Sequence, residues 1–313
     1  MFAHEVDTVI DDFLQVSLPG DAAVTIGVFD GVHLGHQDLI LRAKDEASKR
    51  ELLSTVVTFR NHPRTVLTPG FKPQYLTGLE ERLELIRALG VDLVVPITFT
   101  KAVSQLRARE FVSLLKDRLR MKALVVGPDF ALGKGREGDL PTLARLGKEM
   151  GYSVIRVAFT DLEGQTVSST SIREALSIGD VARIASLQGR PFRLTGRVVV
   201  GEKRGHLLGF PTANLEIDQE RALPADGLYA TRAYLGVIPY HAVTYIGARP
   251  TFAGSTHAVE VYILDFQDDI YGQELTIDLI DRLREDIAFS RSEELIAQMN
   301  EDVARAREVL TRA

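Results

Sequence analysis

The sequence predicts an α/β domain with a doubly wound parallel sheet, followed by a small antiparallel β-barrel and a terminal helix. Three observations lead there. Between residue 20 and about 180, apolar strand-like runs alternate with amphipathic segments, the pattern of buried parallel strands joined by helical crossovers. From 194 onward the runs are short and punctuated by Gly and Pro, which suits a small barrel. From Arg291 to Thr311 the chain returns to helical spacing.

Taken in order, the first strands are expected at 22–29, 53–59, 91–97, 122–127 and 152–159. Helices are expected near 36–50, 79–89, 104–119 and 140–150; in 79–89, Leu79, Leu83, Ile86 and Leu89 recur at helical intervals. Gly189-Arg190-Pro191 breaks a short helical segment, and the domain boundary is set beside it, giving domains 1–186 and 187–313. Barrel strands follow at 194–200, 211–217, 228–235, 241–247, 258–265 and 275–280. In the tail, Leu295, Met299, Val303 and Val309 are expected on a buried side. No internal repeat or low-complexity linker occurs.

Composition narrows the function classes. The 313 residues include 45% hydrophobic and 26% charged residues, values of a soluble globular protein. There is no cysteine, which excludes disulfides, thiolate metal sites and cysteine nucleophiles. A net charge of −6 argues against broad nucleic-acid binding. No apolar run reaches membrane-spanning length, and the N-terminus is acidic (Glu5, Asp7, Asp11, Asp12) rather than basic. The expectation is a cytoplasmic protein that binds neither nucleic acid nor membrane. Its oligomeric state is left open.

Two constellations carry chemistry. The first is Gly27-Val28-Phe29-Asp30-Gly31-Val32-His33-Leu34-Gly35-His36, at the end of a buried strand and the start of a helix. Glycines let backbone N–H groups approach a ligand, and a helix N-terminus favours negative charge. Two imidazoles add donors that can become cationic near neutral pH. A glycine turn with surface histidines is the plainer alternative, and zinc is disfavoured for want of thiolates. Further on, Ser168-Ser169-Thr170-Ser171 is expected to precede and cap a helix, with Arg173 in its first turn. Arg173 suits bidentate contact with phosphate oxygens. The second constellation is Gly209-Phe210-Pro211-Thr212-Ala213-Asn214. Proline leads a strand on which Thr212 and Asn214 face one side, two neutral oxygen ligands suited to Mg²⁺ on ATP phosphates. A Pro-led edge strand with outward polar residues is the alternative.

The HxGH element with Ser168–Arg173, Gly127-Pro128-Asp129-Phe130 with Gly133-Lys134-Gly135, and the GFPTAN run resemble the bacterial bifunctional riboflavin kinase/FMN adenylyltransferases, or FAD synthetases. Gly227-Leu228-Tyr229, Ile246–Phe252 and Val259-Glu260-Val261 extend the resemblance over nearly the whole chain. It implies a Rossmann-like nucleotidyltransferase domain and a kinase barrel. Riboflavin would be phosphorylated by ATP to FMN, then FMN adenylylated to FAD, with Mg²⁺ required in both steps. It also implies that Gly27, Phe29, Asp30, His33, His36, Ser169, Thr170 and Arg173 line one ATP site, with Gly209, Pro211 and Thr212 at the other. Asn61, His62, Asp129 and Arg284 would lie toward the flavin, and Glu260 would take the ribityl hydroxyl proton. Taken alone, His62 and Asp129 are also ordinary turn residues, and Glu260 an ordinary solvated strand residue. The chain departs from the family pattern at Leu228, Tyr245 and Asp286, where valine, asparagine and glutamate are usual. Two other readings compete: a single retained activity with a flavin-binding partner domain, and a non-catalytic flavin carrier.

Overall fold

The computed structural model describes residues 12, 19–158, 161–162, 165–201, 209–251 and 254–312. Residue 159, the segment 205–208 before the GFPTAN run, and Phe252 lie outside the described residues. The chain divides into two compact units, Met1–Ser169 and Thr170–Ala313.

In the first unit, β1 (Ala22–Ile26), β2 (Leu53–Phe59), β3 (Leu93–Ile97), β4 (Met121–Val126) and β5 (Ser153–Arg156) form one sheet in the order β3-β2-β1-β4-β5. Every pairing is parallel. Alternate side chains serve opposite faces. Val24, Val57 and Leu124 pack with Val112 and Leu115, while Val56 packs with Ile40 and Ile86 on the other side. The layers are helices α1 (Leu34–Ser48) and α3 (Leu79–Ala88) on one face, and α5 (Ala108–Leu119) on the opposite one. This is the doubly wound arrangement expected. Pro96 is accommodated because β3 is an edge strand.

Some local expectations are corrected. β1 stops at Ile26, not residue 29, because the backbone turns left-handed at Phe29. The helix expected at 104–119 is two helices, α4 (Lys101–Gln105) and α5, since Leu106 is extended and ends the first. A short helix, α2 (Pro63–Leu67), arises where His62 and Pro63 suggested a turn. A two-stranded hairpin, β6 (Asp161–Leu162) and β7 (Gln165–Thr166), follows helix α6 (Leu140–Met150) and β5. Ser169 opens helix α7 (Ser169–Ile178) and Arg173 falls in its second turn, not the first.

The second unit contains α8 (Val181–Gln188), started by the Asp180 carboxylate and ended by left-handed Gly189. Six strands then close a barrel in the order β10-β11-β12-β9-β8-β13. They are β8 (Phe192–Val199), β9 (Ala213–Glu216), β10 (Gly227–Leu235), β11 (Ile238–Thr251), β12 (Gly254–Ile263) and β13 (Glu274–Glu285). The terminal helix α9 (Ser292–Arg312) packs on β10, β11 and β13. Its fully buried residues are Asp302, Ala306 and Leu310. Leu295, Met299, Val303 and Val309, expected to be buried, are only half-buried, the first three because they line a cleft along this side.

Closure depends on a close backbone approach at Gly196 of β8. A Cβ there would lie 2.6 Å from the Glu216 carbonyl oxygen, so the two strands would have to separate. Gly196→Ala is expected to destabilise the barrel by about 1–3 kcal/mol, measured as a lowered urea midpoint for the second unit with the first unit unaffected.

Candidate active sites

The first centre begins where β1 ends. Gly27 donates its N–H to the Val57 carbonyl (3.1 Å). Phe29, Gly31 and Val32 then take φ of 51°, 83° and 35°. Positive φ is unfavourable for Phe and more so for a β-branched Val, so the surroundings must impose it. Asp30 does much of this. It is buried, and its Oδ1 accepts from the N–H of Leu76 (2.9 Å) and of Thr77 (3.1 Å). The Thr77 hydroxyl in turn accepts from the N–H of Gly31 (3.0 Å). Asp30 therefore turns its carboxylate into the loop it shapes.

Arg82 of α3 lies beneath this loop, only 1% exposed. Its Nη1 donates to the Val28 carbonyl (3.1 Å) and its Nη2 to the Phe59 carbonyl (2.7 Å), while Nε is buried without a partner. Burial lowers the guanidinium pKa, opposed by Asp30 and Tyr75.

His33 occupies the N-cap of α1, and its Nδ1 accepts from the N–H of His36 (3.3 Å). The two imidazoles stack with centroids 3.6 Å apart, and Phe29 meets His36 edge-on at 5.3 Å. Burial, then His33 and Arg82, holds the His36 imidazole well below its ordinary pKa. The expectation of an imidazole cationic near neutral pH is therefore corrected for His36: its surroundings keep it neutral. Its Nδ1 is buried with no hydrogen-bond partner. Gly35 is required by close approach, since a Cβ would sit 3.1 Å from the Val167 carbonyl oxygen and 3.2 Å from the His33 ring. Two residues on, the Ser169 hydroxyl donates to the Asp30 carbonyl (2.9 Å). The two motifs, far apart in sequence, are thus joined at Val167–Ser169. Thr170 is exposed.

The flavin-side candidates differ in what their side chains do. Asn61 gives both ends of its carboxamide to Phe99, Nδ2 to the carbonyl (2.9 Å) and Oδ1 from the N–H (2.8 Å). Its role in this structure is to hold the turn after β2. His62 caps α2, its Nδ1 accepting from the N–H of Arg64, and its ring lies 5.3 Å from Phe71. Asp129 is exposed in a turn, with its carbonyl bound by Arg136 (2.8 Å).

The second centre is written in the barrel register. Arg284 stands opposite Leu228, Leu228 opposite Tyr245, Tyr245 opposite Glu260, Glu260 opposite Asn214, and Asn214 opposite Val199. One residue from each of six strands forms this row, and directly opposed residues share a face. On the same outer face Val243 and Tyr262 pack against α9. The Thr212 hydroxyl donates to Glu260 Oε2 (3.2 Å). Against Gly201, the Asn214 amide occupies the space a Cβ would need.

Two clefts meet at Thr212. The larger, about 650 Å³, is lined by Pro211, Thr212, Ala213, Val261 and the segment Phe266–Tyr271. A smaller one, about 340 Å³, runs between barrel and terminal helix; it has apolar walls including Phe210, Phe289 and Met299, and polar groups Glu260, Arg284 and Asp286. The Tyr245 hydroxyl, pushed up to about 12 by burial and by Asp286, donates to Asp286 Oδ2 (3.0 Å). The departures from the family pattern at 245 and 286 therefore contact each other. Gly209 takes φ of 84°, leading the chain into this region.

Arg82 and Asp302 escape a reading of the sequence for different reasons. Arg82 sits among exposed charges of an amphipathic helix and reads as solvated. Asp302, a carboxylate on the apolar side of α9 three residues after Met299, is the one irregularity that spacing could have flagged.

Comparison with known proteins identifies the family of each half. Residues 16–171 match the FAD synthetase family and residues 188–310 the riboflavin kinase family. The bifunctional riboflavin kinase/FMN adenylyltransferase of Escherichia coli K12 is 39% identical over 287 residues, covering 91% of each chain. Its Bacillus subtilis counterpart is 33% identical over 286 residues, covering 90% of each. A Streptococcus pneumoniae crystal structure described as a macrolide-efflux protein superposes with a TM-score of 0.87 at 31% identity, over 94% of this chain and 96% of that one. Among the described residues of this chain no helix is long and apolar enough to cross a membrane. Matched in both halves and aligned over nine-tenths of its length, the chain belongs to the bifunctional riboflavin kinase/FMN adenylyltransferase family.

Proposed function

We propose that each half-reaction of this bifunctional enzyme has its own centre: FMN adenylylation at the His33–His36 loop and riboflavin phosphorylation at the Thr212–Asn214–Glu260 row. The observation that carries this reading is the different equipment of the two. The loop offers stacked imidazoles at a helix N-terminus and no carboxylate directed outward from Asp30. The barrel offers a carboxylate, Glu260, hydrogen-bonded to the Thr212 hydroxyl and opposite Asn214.

That difference matches the chemistry. An FMN phosphate is largely ionised at pH 7 (second pKa ~6) and needs no general base. Its site must align the phosphate with the α-phosphate of ATP and stabilise charge there. His33 and His36 serve as donors for this, with Gly27, Phe29 and Ser169 beside the nucleotide. Asp30 and Arg82 position the loop, and Asn61 positions the turn that carries His62; Asp129 faces the flavin. A ribityl hydroxyl must lose its proton, and Glu260 accepts it. Thr212 lies where the two barrel clefts meet, so ATP occupies the larger one, along Gly209 and Pro211, and riboflavin the smaller, along Arg284. Apolar walls with few polar groups suit a tricyclic ring.

The oxygen donors beside Glu260 fit Mg²⁺: Thr212 and Asn214 supply a hydroxyl and an amide oxygen, and Gly201 leaves the amide room. When bound, the ion neutralises charge on the ATP phosphates. We place the functional boundary at 186/187, between the two family matches, although α7 and α8 belong to the compact unit of the barrel. The substrates are small molecules and we place the enzyme in the cytoplasm.

Supplying riboflavin, ATP and Mg²⁺ and resolving products over time tests the division. His36→Ala should lower FAD formation roughly 10²- to 10³-fold while FMN still accumulates. Asn214→Ala should block FMN formation yet leave FAD formation from supplied FMN intact. Loss of both steps in either folded variant would refute separate centres.

His36 also sets a pH dependence. Its folded-state pKa lies well below the ordinary 6.5, so the unfolded chain takes up the proton first. The stability this group contributes is present above that value and declines as pH falls below it. Between about pH 7.5 and 5.5, urea unfolding of the first unit should lose more stability in the unsubstituted enzyme than in His36→Gln. Equal losses would mean that His36 is not held neutral.

A further inference from the structure

We propose that Asp302, on the terminal helix, is a positioning residue of the riboflavin kinase site: it aims Arg284 into the smaller cleft. The inference rests on reading that cleft as the flavin pocket. Arg284 Nε lies 3.1 and 3.0 Å from the two Asp302 oxygens, and Nη2 lies 2.9 Å from Oδ2. Nη1 donates to the Glu285 carbonyl (3.0 Å), and Gln298 Nε2 donates to Asp302 Oδ1 (3.2 Å). The side chains are 18% and 6% exposed. One edge of the guanidinium is thereby fixed against α9. Of its five donors, one N–H on each terminal nitrogen is left for the cleft that Arg284 lines.

A purely stabilising role accounts poorly for this pair. Burying two charges costs several kcal/mol of desolvation, and well-packed apolar residues usually serve a helix interface as well or better. The apolar residues of α9 already supply such packing around Asp302. What a carboxylate adds is orientation of a planar fork. The cleft needs it, because Glu260, Asp286 and Asp302 all contribute acceptors. Tyr245 gives its O–H to Asp286, leaving Arg284 as the cationic donor in the lining. A flavin ring presents carbonyl oxygens and ring nitrogens along one edge, acceptors that an aimed guanidinium can meet.

The full-length enzyme provides the test, with riboflavin KM, kcat and ATP KM of the kinase step measured beside thermal unfolding. FAD formation from supplied FMN serves as an internal control. Asp302→Asn should raise riboflavin KM about ten- to hundredfold, the loss of a charge-assisted contact, with a smaller change in kcat and none in ATP KM. Two further variants stay informative if that one unfolds. Arg284→Lys keeps a cation beside Asp302 but loses the fork, and should raise riboflavin KM without undocking the helix. The exchange Arg284→Asp with Asp302→Arg restores an ion pair, so it should recover thermal stability and not riboflavin KM. Recovery of KM by the exchange, or an unchanged KM in a folded Asp302→Asn enzyme, would overturn the proposal. If Arg284→Ala itself leaves riboflavin KM unchanged, the flavin pocket has been misplaced, which is a separate failure.

Discussion

One buried guanidinium holds the first centre in shape. Arg82 bridges the carbonyls of Val28 and Phe59, beyond or at the C-terminal ends of two neighbouring parallel strands. At that point the strands diverge and their carbonyls lose ladder partners, which a buried backbone group cannot leave unanswered. With these carbonyls bound, the chain after β1 can take positive φ at three of the four residues from Phe29 to Val32. Asp30 then fastens the loop to Leu76 and Thr77. Burial first, then His33 and the same Arg82 charge, disfavours protonation of His36. Arg82 and Asp30 together therefore fix the loop, and leaving a buried carbonyl without the guanidinium costs about 1–3 kcal/mol.

In the barrel the constraint is register. Side-chain direction repeats every two residues, so a slip of one residue on any strand would send its member of the row to the other face. Glu260 meets Asn214 and Tyr245 because β12 pairs with β9 on one side and β11 on the other. Closure fixes this from both ends, and the Gly196 contact sets how closely β8 and β9 approach. The terminal helix covers the outer face, with Asp302 paired to Arg284.

Much of this was legible in the sequence, and the limits have physical causes. The alternating apolar runs located all five parallel strands and six barrel strands, because buried strands must be apolar whatever their neighbours. The HxGH and GFPTAN runs are where the two proposed centres lie, since backbone turns and ligand groups demand particular residues at fixed short spacing. Long-range pairing was not legible. Nothing local to Ser169 reveals that its hydroxyl reaches the Asp30 carbonyl, and nothing local to Asn61 reveals that Phe99 takes up its amide. β1 starts where the pattern predicts but ends three residues sooner, because Val28 and Phe29 are apolar for packing while the backbone there follows the loop. Arg82 escaped notice since a helix surface rich in Glu and Arg is usually solvated, and only the tertiary fold buries it.

On the proposed division of labour, the contrast between the histidine loop and the glutamate row follows from what each nucleophile brings. A phosphate arrives already charged, so a carboxylate facing it would repel it; the only carboxylate in the loop, Asp30, is turned inward and held by backbone N–H groups. A neutral His36 imposes no such repulsion and can still donate a hydrogen bond once a phosphate lies against it. An alcohol arrives uncharged and needs a base within reach, and the proposed base, Glu260, accepts a hydrogen bond from the Thr212 hydroxyl. Had one centre served both nucleophiles, it would have to present and withdraw a carboxylate in turn. Two domains remove that conflict, which gives a physical reason for the two activities to occupy separate folds of one chain.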